Sequence, residues 1–312
     1  MVKGQYGGDF ASNGYDKTID EEFGLKEQTI DTTTQIVSKM YPQSQIIPGQ
    51  ITNPLSRQRP RLGMSPDLDK KDDGNFGFTL PDPKEFKAQW EKSKAVNIPN
   101  IFPDLQANTL HSHYFNQPDD WWDLILYPDM HFDYEQSAID NPGYYHMYRA
   151  KAGDESIPER LAHCHQVNQD GGFSYVYRRT NDLSKQKHSY LQLFESKIFR
   201  KFLSEVTGYD NLEFSENHCF VSNYESGHYN GPHTDGNNGK IAFVFHMSKD
   251  WKPQYGGLFM RMDWDFQTIN KAVCPPFNTL SIFDVSNGAP HLVSEVAQGT
   301  SNKRISYTGW YQ

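Results

Sequence analysis

Apolar residues change their spacing twice along this chain. Up to about residue 100 they follow no sustained period, and Gly, Pro, Gln, Asp and Lys dominate, so this part reads as loop-rich. One strand is expected there, over Gly74–Leu80. Helices are expected over Pro83–Ala95 and Pro103–Phe115. From Lys187 to Val206 the residues Leu191, Phe194, Ile198, Phe202 and Val206 recur at helical spacing, and Gly208 follows as a stop. That predicts an amphipathic helix lying on one face of a sheet. From Glu216 onward the pattern turns to short β runs between turns rich in Gly, Pro and Asn. The expected strands are His218–Tyr224, Lys240–Met247, Leu258–Trp264, Thr279–Val285, His291–Val296 and Lys303–Tyr311, with another over Gly171–Arg178. Short strands with helices outside predict an α+β protein with a mainly β core. The expected fold is a double-stranded β-helix (jelly roll, cupin-like) with supporting helices on one face. Residues 1–100 are expected to form a loop-rich extension, an arm whose Tyr41, Phe76 and Phe78 need cover, and residues 101–312 the β-helix domain.

Aromatic residues make up 14% of the chain, mostly Phe and Tyr, which suits such a core. No stretch approaches the ~20 apolar residues of a membrane span, and the first residues lack the apolar run of a secretory signal. Cys164, Cys219 and Cys274 are few and far apart, so a disulfide framework is not expected. These features point to a reducing, cytoplasmic setting. The net charge of −9 argues against a nucleic-acid partner, because phosphate binding needs clustered cations. The local cluster Arg57, Arg59 and Arg61 reads as a solvated loop. Nothing in the pattern specifies an oligomer.

Within this frame, His233 and Asp235 stand two apart, so on extended backbone both point to one face. With a distant His291 they have the composition of a facial iron(II) site, which leaves open positions on the metal. A lone His-x-Asp is weak evidence, and His291 strengthens it only a little. On the final strand, Arg304, Ser306, Thr308 and Trp310 share one face, opposite Ile305, Tyr307, Gly309 and Tyr311. If Arg304 points inward, it is a buried charge needing a partner, and a ligand carboxylate would supply one, with Ser306 adding a hydroxyl. The alternative is an arginine beside a surface acid. Tyr224 shares a face with Phe220 and Ser222; its phenol would reach the same carboxylate, or else pack in the core. His111 with His113, and His163 with His165, have metal-like spacing without a convincing third ligand. No nucleophile elbow, phosphate loop or dinucleotide fingerprint occurs.

Several stretches together resemble a known family. They are Asn223–Gly227 leading to His233-Thr234-Asp235; Lys240–Phe245 followed by Asp250-Trp251 and Gly256–Leu258; Phe283–Val285 and His291–Val296; and Arg304-Ile305-Ser306 with Gly309-Trp310. The chain there is similar to the iron(II)- and 2-oxoglutarate-dependent oxygenases of the prolyl-hydroxylase-like branch, above all those modifying a proline in a ribosomal protein. The likeness covers about residues 216–312 and has no counterpart for that family's second, non-catalytic domain. The resemblance implies His233, Asp235 and His291 as iron ligands and Arg304 and Tyr224 on the distal carboxylate of 2-oxoglutarate. It also implies dioxygen as cosubstrate and ascorbate as a candidate reductant. Because Asp235 fills the position where related halogenases carry a small residue, it implies hydroxylation.

The expected substrate is a prolyl residue in a peptide or protein. A free amino acid or other small molecule is the alternative, with Arg178 or Arg179 as a carboxylate partner. A jelly-roll binding protein without catalysis is the reading from another class. Nucleic-acid demethylation is disfavoured, because no second arginine follows Arg304 on its strand.

Overall fold

A computed structural model describes residues 76–127, 148–150, 154–180, 187–215, 218–235 and 238–312. Twelve strands among them form one sheet with every pairing antiparallel. They are β1 (Ala95–Pro99), β2 (Asp123–Tyr127), β3 (Tyr148–Ala150), β4 (Tyr175–Arg179), β5 (Phe220–Tyr224), β6 (Tyr229–His233), β7 (Ile241–His246), β8 (Phe259–Met262), β9 (Ile269–Val273), β10 (Thr279–Asp284), β11 (His291–Val293) and β12 (Arg304–Tyr311). The strand order is β1-β10-β7-β12-β5-β4-β6-β11-β8-β9, with β2 pairing β3 and β4. Strand β4 pairs both β5 and β6, at Arg178↔Asn223 and Tyr175↔Asn230. The sheet curls there, bringing the β6-β11-β8 side over the inner face of β7-β12-β5. This is the double-stranded β-helix expected from the strand pattern. The sheet also reaches amino-terminal of residue 101, through β1, which pairs β10 along its whole length.

The two faces separate by strand parity. On the outer face, Val96, Ile98, Val221, Phe243, Phe245, Ile282, Ile305, Tyr307 and Tyr311 join the main core with the helices. These are α1 (Lys84–Ser93), α2 (Asp104–Phe115), α3 (Ile157–Gln169) and α4 (Lys197–Thr207), of which α4 gives Phe199, Phe202, Leu203 and Val206 to that core. On the inner face, smaller clusters hold Ala242, Phe259, Phe283 and Trp310, and Tyr177, Tyr224, Trp251 and Val293.

Two local expectations need correction. The helix expected over Lys187–Val206 is two pieces, a 3-10 helix at Ser189–Glu195 and then α4. Ser196 breaks it: its backbone is extended, and its hydroxyl accepts from the Phe199 N–H at 3.1 Å, a side-chain cap stronger than continued helix. Ile198 is consequently 45% exposed, while Gly208 ends α4 in the left-handed region at φ 77° as expected. Of the strand expected over Gly74–Leu80, residues 76–80 form no strand; Gly77 turns the chain, and Phe76 and Phe78 pack against the core. Tyr41 and the arginines at 57, 59 and 61 lie outside the described residues. None of the three cysteines forms a disulfide. No helix among the described residues is long and apolar enough to cross a membrane.

Candidate metal and cosubstrate site

Strand register sets the two histidines side by side. His291 of β11 is the cross-strand partner of His233 of β6, and their rings are 4.2 Å apart. Strand β6 can run this close to β4 because Gly231 has no side chain: a Cβ there would stand 2.7 Å from the Ser174 carbonyl oxygen. Asp235, just past the end of β6, brings its Oδ1 within 3.6 Å of His233 Nε2 and its Oδ2 within 3.5 Å of His291 Nε2. One ligand atom from each residue lies within 4.8 Å of the others, and this is the one such group among the described residues.

Backbone contacts orient both rings. His233 Nδ1 donates to the Gly231 carbonyl at 2.9 Å, and His291 Nδ1 to the Ala289 carbonyl at 2.8 Å. Each Nε2 is therefore the nitrogen left facing the shared point, where a metal would take it. Phe259 and Phe283 flank the His291 ring at 5.5 and 5.0 Å. Burial, and then His233, hold His291 down at about 4, so it is neutral at pH 7. Trp310, at the inner end of β12, donates its indole N–H to Asp235 Oδ2 at 3.2 Å. The donor set of two imidazoles and one carboxylate fits iron(II).

Deeper on the inner face lies Arg304. It is 2% exposed and opposite Tyr224 of β5, whose ring faces its guanidinium at 5.0 Å. Its Nε has no hydrogen-bond partner among the described residues, and no surface acid accompanies it. An anion would satisfy this nitrogen and offset the cost of burying the charge. Gly257 makes room for it: a Cβ there, at φ +59°, would meet Arg304 Cδ at 2.9 Å. The Tyr224 hydroxyl hydrogen-bonds the Asn230 side chain, and its ring stacks on Tyr177 at 5.0 Å. Burial, then Tyr177, raises its pKa, so it remains a neutral donor. Ser306 shares the inner face, but its hydroxyl is 3.0 Å from that of Ser222.

The other candidates lie elsewhere. Arg178 turns to Glu225 at 3.1 Å and to the Asp119 carbonyl. Arg179 lies over the Phe220 ring at 5.2 Å. His111 and His113 sit on α2, with His111 Nδ1 2.8 Å from the Met247 carbonyl; His163 and His165 sit on α3. Trp310 and Gly257 were missed as contributors. Trp310 shares Arg304's parity on β12, which was the available signal, whereas nothing local marks Gly257 as facing Arg304.

Residues 219–312 match the model of the 2OG-Fe(II) oxygenase superfamily. Prolyl 3-hydroxylase OGFOD1 of Mus musculus is 29% identical over 145 residues, covering 44% of this chain and 26% of that protein. The Xenopus laevis protein of the same name is 28% identical over 144 residues, covering 44% and 28%. The chain thus spans little more than a quarter of the length of these curated relatives. Among solved structures, a Pseudomonas putida prolyl-4-hydroxylase aligns with a TM-score of 0.44 at 13% identity, covering 74% of this chain and 98% of that one. A Trichoplax adhaerens prolyl hydroxylase in complex with a hypoxia inducible factor peptide aligns with a TM-score of 0.37 at 14% identity, covering 73% and 88%.

Proposed function

We propose that this chain, whose residues 219–312 carry a 2OG-Fe(II) oxygenase domain, is an iron(II)- and 2-oxoglutarate-dependent dioxygenase that hydroxylates a prolyl residue in a peptide or protein. One juxtaposition carries the reading: a three-residue ligand set and a buried guanidinium with an unpartnered Nε, brought to the same inner face of one curled sheet. When bound, iron with 2-oxoglutarate and dioxygen supplies the oxidising chemistry, in which decarboxylation of the cosubstrate to succinate accompanies hydroxylation of a C–H bond.

The chain's own residues bind, orient and exclude water. His233 and His291 offer Nε2 lone pairs, held in direction by their backbone contacts, and Asp235 offers Oδ1 while Trp310 occupies Oδ2. Arg304 takes the distal carboxylate of 2-oxoglutarate, with the Tyr224 hydroxyl and Ser306 as further donors on that wall. The inner-face aromatics line this region with apolar surface, and lower polarity strengthens each polar contact.

The prolyl reading draws support from the wall beside the ligand set. Phe173 is 38% exposed and its ring lies 5.4 Å from that of His233. Tyr175 packs on Phe173 at 5.7 Å and stacks on Tyr127 at 5.1 Å. Such half-exposed aromatic faces suit an apolar, weakly polarised pyrrolidine ring. The test is a panel of prolyl peptides and free proline, with succinate release and product mass followed in parallel. Oxidised peptide is expected. Oxidised free proline with untouched peptides would overturn the peptide substrate, and iron-independent succinate release would overturn the enzyme class.

A further inference from the structure

The inner face holds a second buried group with an unpartnered nitrogen. His246, the last residue of β7, is 1% exposed and lies opposite Ser306 of β12 and Thr279 of β10. Arg304, two residues from Ser306 on the same face, is its diagonal neighbour. His246 Nε2 is 3.0 Å from Ser281 Oγ. The Ser281 hydroxyl has one proton, and it donates that proton to Asn97 Oδ1 at 2.8 Å. Ser281 Oγ must therefore accept from His246, which places the ring proton on Nε2. Nδ1 is left as a lone pair, and it has no partner among the described residues, like Arg304 Nε.

These two groups make different demands. Arg304 needs an acceptor, and Nδ1 needs a donor. A carboxylate satisfies the guanidinium but brings only lone pairs to Nδ1. Both are satisfied by one carboxyl group only if a proton sits between Nδ1 and a carboxylate oxygen.

We propose that His246 and Arg304 together form the floor that takes the distal carboxylate of the cosubstrate. The complex then holds one proton more than the free protein and the free dianion, shared between His246 Nδ1 and a carboxylate oxygen. This rests on the 2-oxoglutarate reading given above. In the free protein, burial and then Arg304 hold His246 well below its ordinary range, so it is neutral near pH 7. Arg304 is the charged group acting on it; the groups facing it from β10, β12 and β1 are Thr279, Ser281, Ser306 and Asn97, all neutral. An arriving carboxylate offsets the Arg304 charge and accepts from the ring, and this ion-pair hydrogen bond counters the cost of burial. Solvent supplies the proton, and binding tightens as pH falls.

The experiment is calorimetric titration of 2-oxoglutarate into the full chain loaded with Mn(II), at one pH in buffers of different ionisation enthalpy. Uptake of about one proton per cosubstrate is expected. His246→Gln keeps a polar side chain but removes the titratable nitrogen; it is expected to bind more weakly with uptake near zero. Unchanged folding is checked by thermal melting, and the wild-type uptake stands as a test without any variant. Binding by the wild type without proton uptake, or equal uptake in His246→Gln, would overturn the role of His246 and leave the cosubstrate reading standing. No binding of 2-oxoglutarate at all would sink both.

Discussion

Replacing Trp310 with Phe isolates one hydrogen bond to a proposed metal ligand. The indole is 7% exposed, and its N–H donates to Asp235 Oδ2 at 3.2 Å. Without that donor, the carboxylate keeps a charge but loses one of the contacts that aim its other oxygen at the metal point. A hydrogen bond to a charged group contributes roughly 1.5–3 kcal/mol, and loss of such an outer partner typically weakens metal binding ~10–100-fold. A separation of 3.2 Å is at the long end for N–H···O, so the lower end applies, about tenfold. Phe retains most of the ring contact with Phe220, whose centroid is 6.2 Å away. Anaerobic titration with Mn(II), followed by loss of the free-ion resonance signal, gives the affinity directly. Phe220→Leu serves as control, since it loosens the packing around the indole without touching the N–H. The reasoning fails if Trp310→Phe binds metal as tightly as the wild type, or if Phe220→Leu weakens binding equally.

His233→Ala and Asp235→Ala should each abolish iron-dependent succinate formation; undiminished turnover in either would remove it from the metal site. Arg304→Ala should raise the 2-oxoglutarate requirement by roughly two orders of magnitude, as expected for losing a charged partner, and an unchanged requirement would place the cosubstrate elsewhere. Gly257→Ala should raise it too, because its Cβ would meet Arg304 Cδ at 2.9 Å from a backbone at φ +59°, and saturation curves against 2-oxoglutarate decide this. In the metal-free protein, His228 and His291 are held down at about 3 and about 4, in each case chiefly by burial. Below the ordinary value of 6.5 the unfolded chain binds protons that the native state refuses, so stability must fall as pH drops from 6.5 towards 4. Each histidine contributes on the order of 3 kcal/mol to that loss. Denaturant melts across this window should show it, and a flat profile would contradict it.

Much of the architecture was legible because it follows local rules. Strand parity alone separated Arg304, Ser306 and Trp310 from Ile305, Tyr307 and Tyr311, and those sets now lie on the inner and outer faces. The helices α1 and α2 lie within the ranges expected for them, and apolar spacing found α4, since burying one face of that helix is a property of its own residues. It passed over Ser196, where a hydroxyl cap outweighed continued helix. It also missed β1, β2, β3, β6, β9 and α3, whose short or polar runs gain their structure from neighbouring strands or packed helices.

The sequence by itself determined which residue types were present at the proposed site: two imidazoles, a carboxylate two positions from one of them, and an inward-phased arginine. It left open whether His291 met His233, and whether Arg304 met a surface acid. Only the tertiary structure decided these points. The β6-β11 register set the imidazoles 4.2 Å apart, and the curl of the sheet buried Arg304 with its Nε unpartnered among the described residues. The same packing placed Trp310 on Asp235 and left His246, near Arg304, with a nitrogen that has no partner among the described residues. The physical reason is that strand phase is a local property repeating every two residues. Convergence of residues more than fifty positions apart depends on how the whole sheet closes, and no stretch of sequence encodes that alone.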